Sequence, residues 1–139
     1  MKVFETLAVS GSALTAEKLR MDLISNNIAN MNTTRTPDGG PYRRQVALFA
    51  QRLEKASQGG RTSQGVQVRG VVHDPTPPRM VFEPDHPDAN EQGYVAYPNV
   101  DMVKEMVDMV TSTRSYEANV TVLNAAKNMF LKALEIGRG

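Results

Sequence analysis

The apolar residues in the last third of the chain recur at alternating steps of four and three. The ten positions of this repeat are Met102, Met106, Met109, Thr113, Tyr116, Val120, Leu123, Lys127, Phe130 and Leu134, and all but Thr113 and Lys127 are apolar. Such a heptad pattern is typical of a helix that packs against a partner along one stripe. No Pro or Gly interrupts residues 99–136, so the sequence predicts a helix of about 55 Å over this range.

This predicted helix is too long for a 139-residue chain to bury by itself. Asn99 is its expected N-cap, and Asp101, Glu105 and Asp108 near its start favour the positive end of the helix dipole. A second apolar stripe, formed by Val103, Val107 and Val110, is predicted to face other subunits. The helix is therefore interpreted as an assembly element.

A shorter heptad pattern predicts a helix over residues 4 to about 31. Its stripe consists of Leu7, Leu14, Met21, Ile24 and Ile28. The end of this helix is rich in asparagine: Asn26, Asn27, Asn30 and Asn32. Because Asn side chains compete for backbone hydrogen bonds, two interpretations remain open. The segment is either a fraying helix end, or a set of buried amides that bond the backbone of a neighbouring chain and fix register.

The middle of the chain contains all eight prolines and seven of the ten glycines, between residues 37 and 98. Residues 42–51 and 66–72 predict the strands of a β-hairpin with a polar tip over 55–65, and residues 80–82 predict a short edge strand. The sequence thus divides into an N-terminal helix (1–31), an extended and β-rich middle (32–98) and a long C-terminal helix (99–139). The expected fold is mainly α, with the terminal helices paired as an antiparallel coiled coil.

The composition excludes several classes of function. With 16 basic and 15 acidic residues the net charge is +1, which favours no nucleic-acid partner. The absence of cysteine excludes disulfides and cysteine-ligated zinc. No run of 18 apolar residues is present, so no membrane span is expected, and the N-terminus does not resemble a cleaved signal peptide.

One cluster, Asp85-His86-Pro87-Asp88 with Glu83 and Glu91, could be imagined as a metal or acid–base site. Its prolines prevent the side chains from sharing a helix face, which favours a solvated loop. No catalytic motif is present, so no catalytic residue, metal or cofactor is predicted. Bases outnumber acids eight to three over 35–79, and four acids with no Lys or Arg follow over 83–91, which favours a charge-complementary protein contact.

Four segments resemble bacterial flagellar rod and hook proteins. Residues 19–33 are similar to the N-terminal signature of this family, although Met31 stands where a smaller residue is more usual. Residues 34–44, 93–101 and 114–119 resemble the proximal-rod members. The positions that carry this family motif are Asn26, Asn27, Asn30, Asn32, Thr33, Tyr116 and Asn119.

The resemblance implies a structural subunit of the proximal rod that stacks around a central export channel. Its implied partners are itself, other proximal and distal rod proteins, the export-gate adapter, the rod cap and the flagellar type III export apparatus. It also implies a rod in the periplasmic space, reached without a cleaved signal peptide, and Phe4 with Ala8 resembles the short export signal of early subunits. The alternative function is a soluble helical-hairpin adaptor or export chaperone that binds a single partner.

Overall fold

Two long helices form the ends of the chain, and two antiparallel strand pairs lie between them. The computed structural model describes residues 2–55 and 61–139. Its elements are α1 (Lys2–Ala29), β1 (Gln45–Lys55), β2 (Arg61–His73), β3 (Arg79–Phe82), β4 (Tyr94–Tyr97) and α2 (Met102–Gly137). The fold is therefore mainly helical, with strands confined to the middle, as the sequence predicts.

The two helices contact each other along α1. The rings of Phe4 and Phe130 lie 5.6 Å apart, and Ser112 Oγ donates a hydrogen bond to the carboxylate of Glu17. Near the end of α1, Asn27 Nδ2 lies 3.4 Å from Glu105 Oε2. Residues at the start of α1 thus contact the end of α2, and residues at the end of α1 contact the start of α2, so the two helices run in opposite directions.

The N-cap of α2 is Asp101, and the expectation of Asn99 is wrong. An Asp101 carboxylate oxygen accepts hydrogen bonds from the backbone N–H groups of Val103 and Lys104, at 2.9 and 3.2 Å. Asn99 is used elsewhere, because its Oδ1 accepts from Arg44 N at 3.0 Å and its Nδ2 donates to Thr76 O at 2.9 Å. A cap satisfies the free N–H groups of a first turn, and here the nearer carboxylate does so.

The predicted hairpin is confirmed, but β1 begins at Gln45, three residues after the predicted start, and both strands extend farther toward the tip than the pattern indicated. β1 pairs antiparallel with β2 from Gln45↔His73 to Lys55↔Arg61, with register shifts after Leu48 and after Gln51. These bulges absorb two extra residues of β2, and residues 61–65, which were predicted as part of the tip, continue as strand. The remainder of the predicted tip, residues 56–60, lies outside the described residues.

A second strand pair follows the hairpin. The expected edge strand is β3, and its partner is β4, which the sequence did not predict. Phe82 pairs with Tyr94 in this register, and their rings lie 5.3 Å apart in an edge-to-face arrangement. Four residues per strand offer too little alternation to distinguish a strand from an extended linker.

The chain exposes far more surface than a compact monomer of its size. Its accessible area is 9981 Å², whereas a folded monomer of this mass is expected to expose about 7,100 Å². Among the described residues, the buried apolar side chains are Ala16, Leu23, Ile24, Val95, Val100 and Ala126. Most of the large apolar residues therefore remain in contact with solvent in the single chain.

Candidate assembly interface

The end of α1, the start of β1 and the first turns of α2 meet around Asn27. This side chain is 1% exposed. Its Oδ1 accepts from Gln45 N and from Tyr42 Oη, both at 2.9 Å, and its Nδ2 donates to Gln45 O at 2.9 Å. The amide thus pairs with the backbone of Gln45 as an adjacent strand would. We call this group, with Arg44 and Glu105, the Asn27 junction.

The junction decides between the two interpretations of the asparagine-rich segment for this residue. Asn27 is a buried amide that bonds backbone groups, but the backbone belongs to its own chain. Its hydrogen bonds join the N-terminal helix to the start of the hairpin. Because a buried polar side chain without a partner is costly, these bonds are needed at this depth.

Arg44 lies beside Asn27 and carries the charge of the junction. Its Nε donates to Glu105 Oε1, its Nη1 lies 3.3 Å from Asp74 Oδ2, and its Nη2 lies 3.6 Å from Asp108 Oδ2. Burial lowers the pKa of Arg44, but the bonds and charges of Glu105 and Asp74 outweigh this effect, so the pKa stands above its usual value. One guanidinium therefore links the start of β1, the proline-rich linker between β2 and β3 (residues 74–78) and α2.

Glu105 is the most buried charged residue of the described chain, at 0% exposed. The sequence placed it at the helix start as a favourable dipole partner, whereas in the structure it bonds Arg44 and lies against Asn27. Its negative charge adds to the effect of burial in raising the pKa of Tyr42. Sequence reasoning missed Arg44, Tyr42 and Asp74 as parts of this site. Arg44 and Tyr42 lie in segment 34–44, and its resemblance to rod proteins was the only signal that could have pointed to them.

The residues predicted for the heptad stripe differ in exposure. Ile24 is buried. Eight others are half-buried: Leu7, Leu14, Met21, Ile28, Met109, Tyr116, Val120 and Leu123. Phe130 is half-buried against Phe4, and Met102, Met106 and Leu134 are exposed. The stripe is thus covered along its middle and open at both ends of α2.

The second stripe of α2 is open throughout. Val103, Val107 and Val110 are 70%, 59% and 57% exposed. Three valines on neighbouring turns of one helix form a contiguous apolar surface, and such surfaces are typical of protein interfaces.

The other motif residues bond locally. Asn30 Nδ2 donates to Asn26 O at 2.9 Å, and Asn30 Oδ1 accepts from Thr33 Oγ1 at 3.2 Å. These two bonds close the turn after α1. Asn119 Nδ2 donates to Ser115 O within α2. Asn26 and Asn32 are exposed.

The predicted export-signal residues lie on the first turns of α1. Phe4 and Ala8 are both exposed, although the Phe4 ring contacts Phe130. The structure thus leaves both residues on the surface of the single chain.

The loop between β3 and β4 (residues 83–93), here called the acidic loop, is held by local hydrogen bonds and one ion pair. Asp88 accepts from Thr34 Oγ1 at 2.8 Å and pairs with the Arg35 guanidinium, and His86 Nδ1 accepts from the backbone N–H of Asp88 at 3.0 Å. These partners lower the pKa of Asp88, the Thr34 hydrogen bond most strongly. Within residues 2–55 and 61–139, no group of three His, Asp or Glu side chains could hold a metal ion.

Both helices match families of known proteins. Residues 7–35 match the family described as flagella basal body rod protein, and residues 91–136 match the C-terminal family of flagellar basal body rod FlgEFG proteins. The flagellar basal-body rod protein FlgC of Bacillus subtilis is 47% identical over 99% of this chain and all of its own length. The FlgC of Borreliella burgdorferi is 45% identical over the full length of both chains.

The chain belongs to the FlgC family of flagellar basal-body rod proteins. More distant members match it over the same extent, since the FlgC of Salmonella typhimurium is 39% identical over 99% of this chain. The two family matches fall on the segments that supply Asn27 and Glu105, while Arg44 lies between them. None of the described helices is long and apolar enough to cross a membrane.

Proposed function

We propose that this FlgC-family chain is a structural subunit of the flagellar proximal rod, which polymerises with other rod proteins around the export channel. The observation that carries the proposal is the exposure of α2 along its valine stripe and at both ends of its heptad stripe. An excess surface of about 2,800 Å² over a compact monomer falls within the range of obligate interfaces. A subunit whose core is completed by its neighbours requires such a surface.

The terminal helices are proposed to pair as an antiparallel coiled coil that forms the axial part of the subunit. The contacts of Phe4 with Phe130 and of Asn27 with Glu105 support this arrangement. The half-buried middle of the heptad stripe is then the intramolecular contact, and its exposed ends together with the valines face other subunits.

The proposed partners are other copies of the chain, the remaining proximal-rod and distal-rod proteins, the export-gate adapter, the rod cap and the type III export apparatus. In this proposal Phe4 and Ala8 serve as an export signal, and the subunit reaches the rod in the periplasmic space without a cleaved signal peptide. Export as an unfolded chain suits a subunit whose described core holds six buried apolar residues and whose folding is completed by assembly. Hydrogen exchange on the free monomer is expected to show weak protection at both termini.

The test introduces a charge into the heptad stripe. Leu123→Asp is expected to be exported normally but to be absent from isolated basal bodies, because a carboxylate at a packed position is not tolerated. Thr121→Asp, on an exposed position two residues away, is the matched control and is expected to assemble. Normal incorporation of Leu123→Asp would contradict the stripe assignment, and absence of the unaltered chain from purified rods would favour a transient adaptor.

A further inference from the structure

The strand pair β3–β4 has one face on which three large side chains remain exposed. Val81 and Val95 point to one face, where Val95 is fully buried. Met80, Phe82 and Tyr94 alternate to the other face, and all three are exposed, Phe82 by 61%. We call these three residues the aromatic face.

Two carboxylates in the loop between β3 and β4 have no ion-pair partner among the described residues. The loop that joins β3 to β4 holds four acids, of which Glu83 accepts from Tyr97 Oη and Asp88 is bound by Thr34 and Arg35. Asp85 and Glu91 are exposed and have no ion pair among the described residues. The loop itself is ordered by hydrogen bonds around Asn90, whose Oδ1 accepts from the N–H groups of Gln92 and Tyr94. The β3–β4 unit thus carries exposed apolar side chains and, in its hydrogen-bonded loop, two exposed carboxylates.

The hairpin β1–β2 carries the complementary chemistry. Phe49 and Val68 are paired across its strands, and both are exposed. Arg52 and Arg69 fall at the two register shifts of the hairpin. Both are exposed, and neither has an ion pair within the described residues. The hairpin therefore carries exposed apolar side chains together with two exposed arginines at its register shifts.

These two surfaces do not meet within one chain. No Cα atom of β3 or β4 lies within 8 Å of a Cα atom of the hairpin or of either helix. The linker between them is braced, because Arg44 pairs with Asp74 and Asn99 Nδ2 donates to Thr76 O. A rigid linker holds the two surfaces apart, so their complementarity can be used only between molecules.

We propose that the hairpin of one copy docks on the aromatic face of the next copy, with Arg52 and Arg69 placed against Asp85 and Glu91. This inference rests on the proposed function and names one of its contacts. Because the two surfaces differ, the contact is heterologous and repeats from subunit to subunit. Charge complementarity fixes the register of such a contact and disfavours the reverse pairing. A second copy is the occupant because this one chain carries both halves.

The first experiment uses the absence of cysteine from the chain. Two single variants, Arg69→Cys and Glu91→Cys, are produced together in a strain that lacks the unaltered chain. Basal bodies are then isolated and oxidised. The expected result is a disulfide-linked dimer that contains one chain of each variant. Incorporated chains that form no such dimer, or that link to a different protein, would overturn the inference and leave the proposed function intact. Absence of even the unaltered chain from basal bodies would overturn both.

The second experiment exchanges the charges. Arg52→Glu with Arg69→Glu, or Asp85→Arg with Glu91→Arg, is expected to lower incorporation roughly tenfold through like-charge repulsion. All four changes together are expected to restore incorporation to within about threefold of the unaltered chain. The matched control combines Arg52→Glu and Arg69→Glu with Asp22→Arg and Asp38→Arg, which restores net charge at exposed acids elsewhere. A fourfold exchange that assembles no better than this control contradicts the proposed contact.

Discussion

Asn27 and Gln45 form a two-bond pair in which a side-chain amide takes the place of a neighbouring strand. Asn27 Oδ1 accepts from Gln45 N and Asn27 Nδ2 donates to Gln45 O, both at 2.9 Å. Gln45 is the first residue of β1, so the pair fixes where the hairpin leaves the helical part of the subunit.

Replacing Asn27 with alanine is expected to destabilise the chain by about 2 kcal/mol or more, because Gln45 and Tyr42 lose partners at a buried position. Urea unfolding of the monomer, followed by circular dichroism, measures this change. Asn26→Ala is the control: its side chain is exposed, and the change should cost less than about 0.5 kcal/mol. Equal effects of the two substitutions would show that the junction contributes no more than helix propensity.

Replacing Arg44 with lysine is expected to cost roughly 2–4 kcal/mol, because a single ammonium nitrogen cannot reproduce the spacing of the three guanidinium nitrogens that face Glu105, Asp74 and Asp108, and the buried Glu105 is left poorly paired. The neighbouring Arg43 is exposed, and Arg43→Lys should be nearly neutral. The two variants are compared by their unfolding midpoints in urea. A neutral Arg44→Lys would mean that charge alone, without the planar fork, is sufficient.

Gly65 tests the contact between the hairpin and α1. Its φ is +100°, and a Cβ built there would lie 2.2 Å from Ser12 Oγ and 3.2 Å from Val9 Cα. Gly65→Ala is therefore expected to destabilise by about 1–3 kcal/mol. Gly70→Ala is the control, because no atom lies within 4 Å of that position.

A double substitution separates the two causes of strain at Gly65. Ser12→Ala removes the hydroxyl that Gly65→Ala would meet, and with it the bond from Val66 N. If the close approach dominates, Gly65→Ala costs less in the Ser12→Ala background than alone. If the positive φ dominates, the two effects add.

Asp88 makes the acidic loop sensitive to pH. The Thr34 hydroxyl and the Arg35 guanidinium hold the pKa of this carboxyl below its ordinary value near 3.8. A lowered pKa in the folded state contributes stability that is present above about pH 3.9 and is lost as the pH falls through the folded value. Carboxyl titration by NMR should show Thr34→Ala raising this pKa, and Asp88→Asn should remove the loop's response to acid below about pH 4.

Val107→Asp separates folding from assembly. Val107 is 59% exposed, so the substitution should change the free energy of unfolding of the monomer by less than about 0.5 kcal/mol. Within an interface the same carboxylate would be buried without a partner, and incorporation into basal bodies should be lost. Lys104→Asp, on an exposed position one turn earlier and outside the valine stripe, is the control and should assemble.

Periodicity was sufficient to predict the two helices and the hairpin. A heptad pattern from Met102 to Leu134, with no Pro or Gly before Gly137, is compatible only with a long helix. The prolines and glycines of the middle segment confine the strands to that region. The same reasoning could not choose the N-cap between Asn99 and Asp101, because both residues cap well. Which of them does so depends on Arg44 and Thr76, whose contacts occupy Asn99 across more than 20 residues of chain.

The sequence by itself determined the two helices, the hairpin and the family resemblance, since each of these depends on spacing or on a local motif. Only the tertiary structure decided the Asn27 junction and the separation of the two strand pairs. The junction depends on partners distant in sequence, Asn27 with Gln45 and Arg44 with Glu105. The linker between the two strand pairs depends on Arg44 with Asp74 and on Asn99 with Thr76. Local pattern carries no record of such pairs, because burial and hydrogen bonding are decided by the fold as a whole.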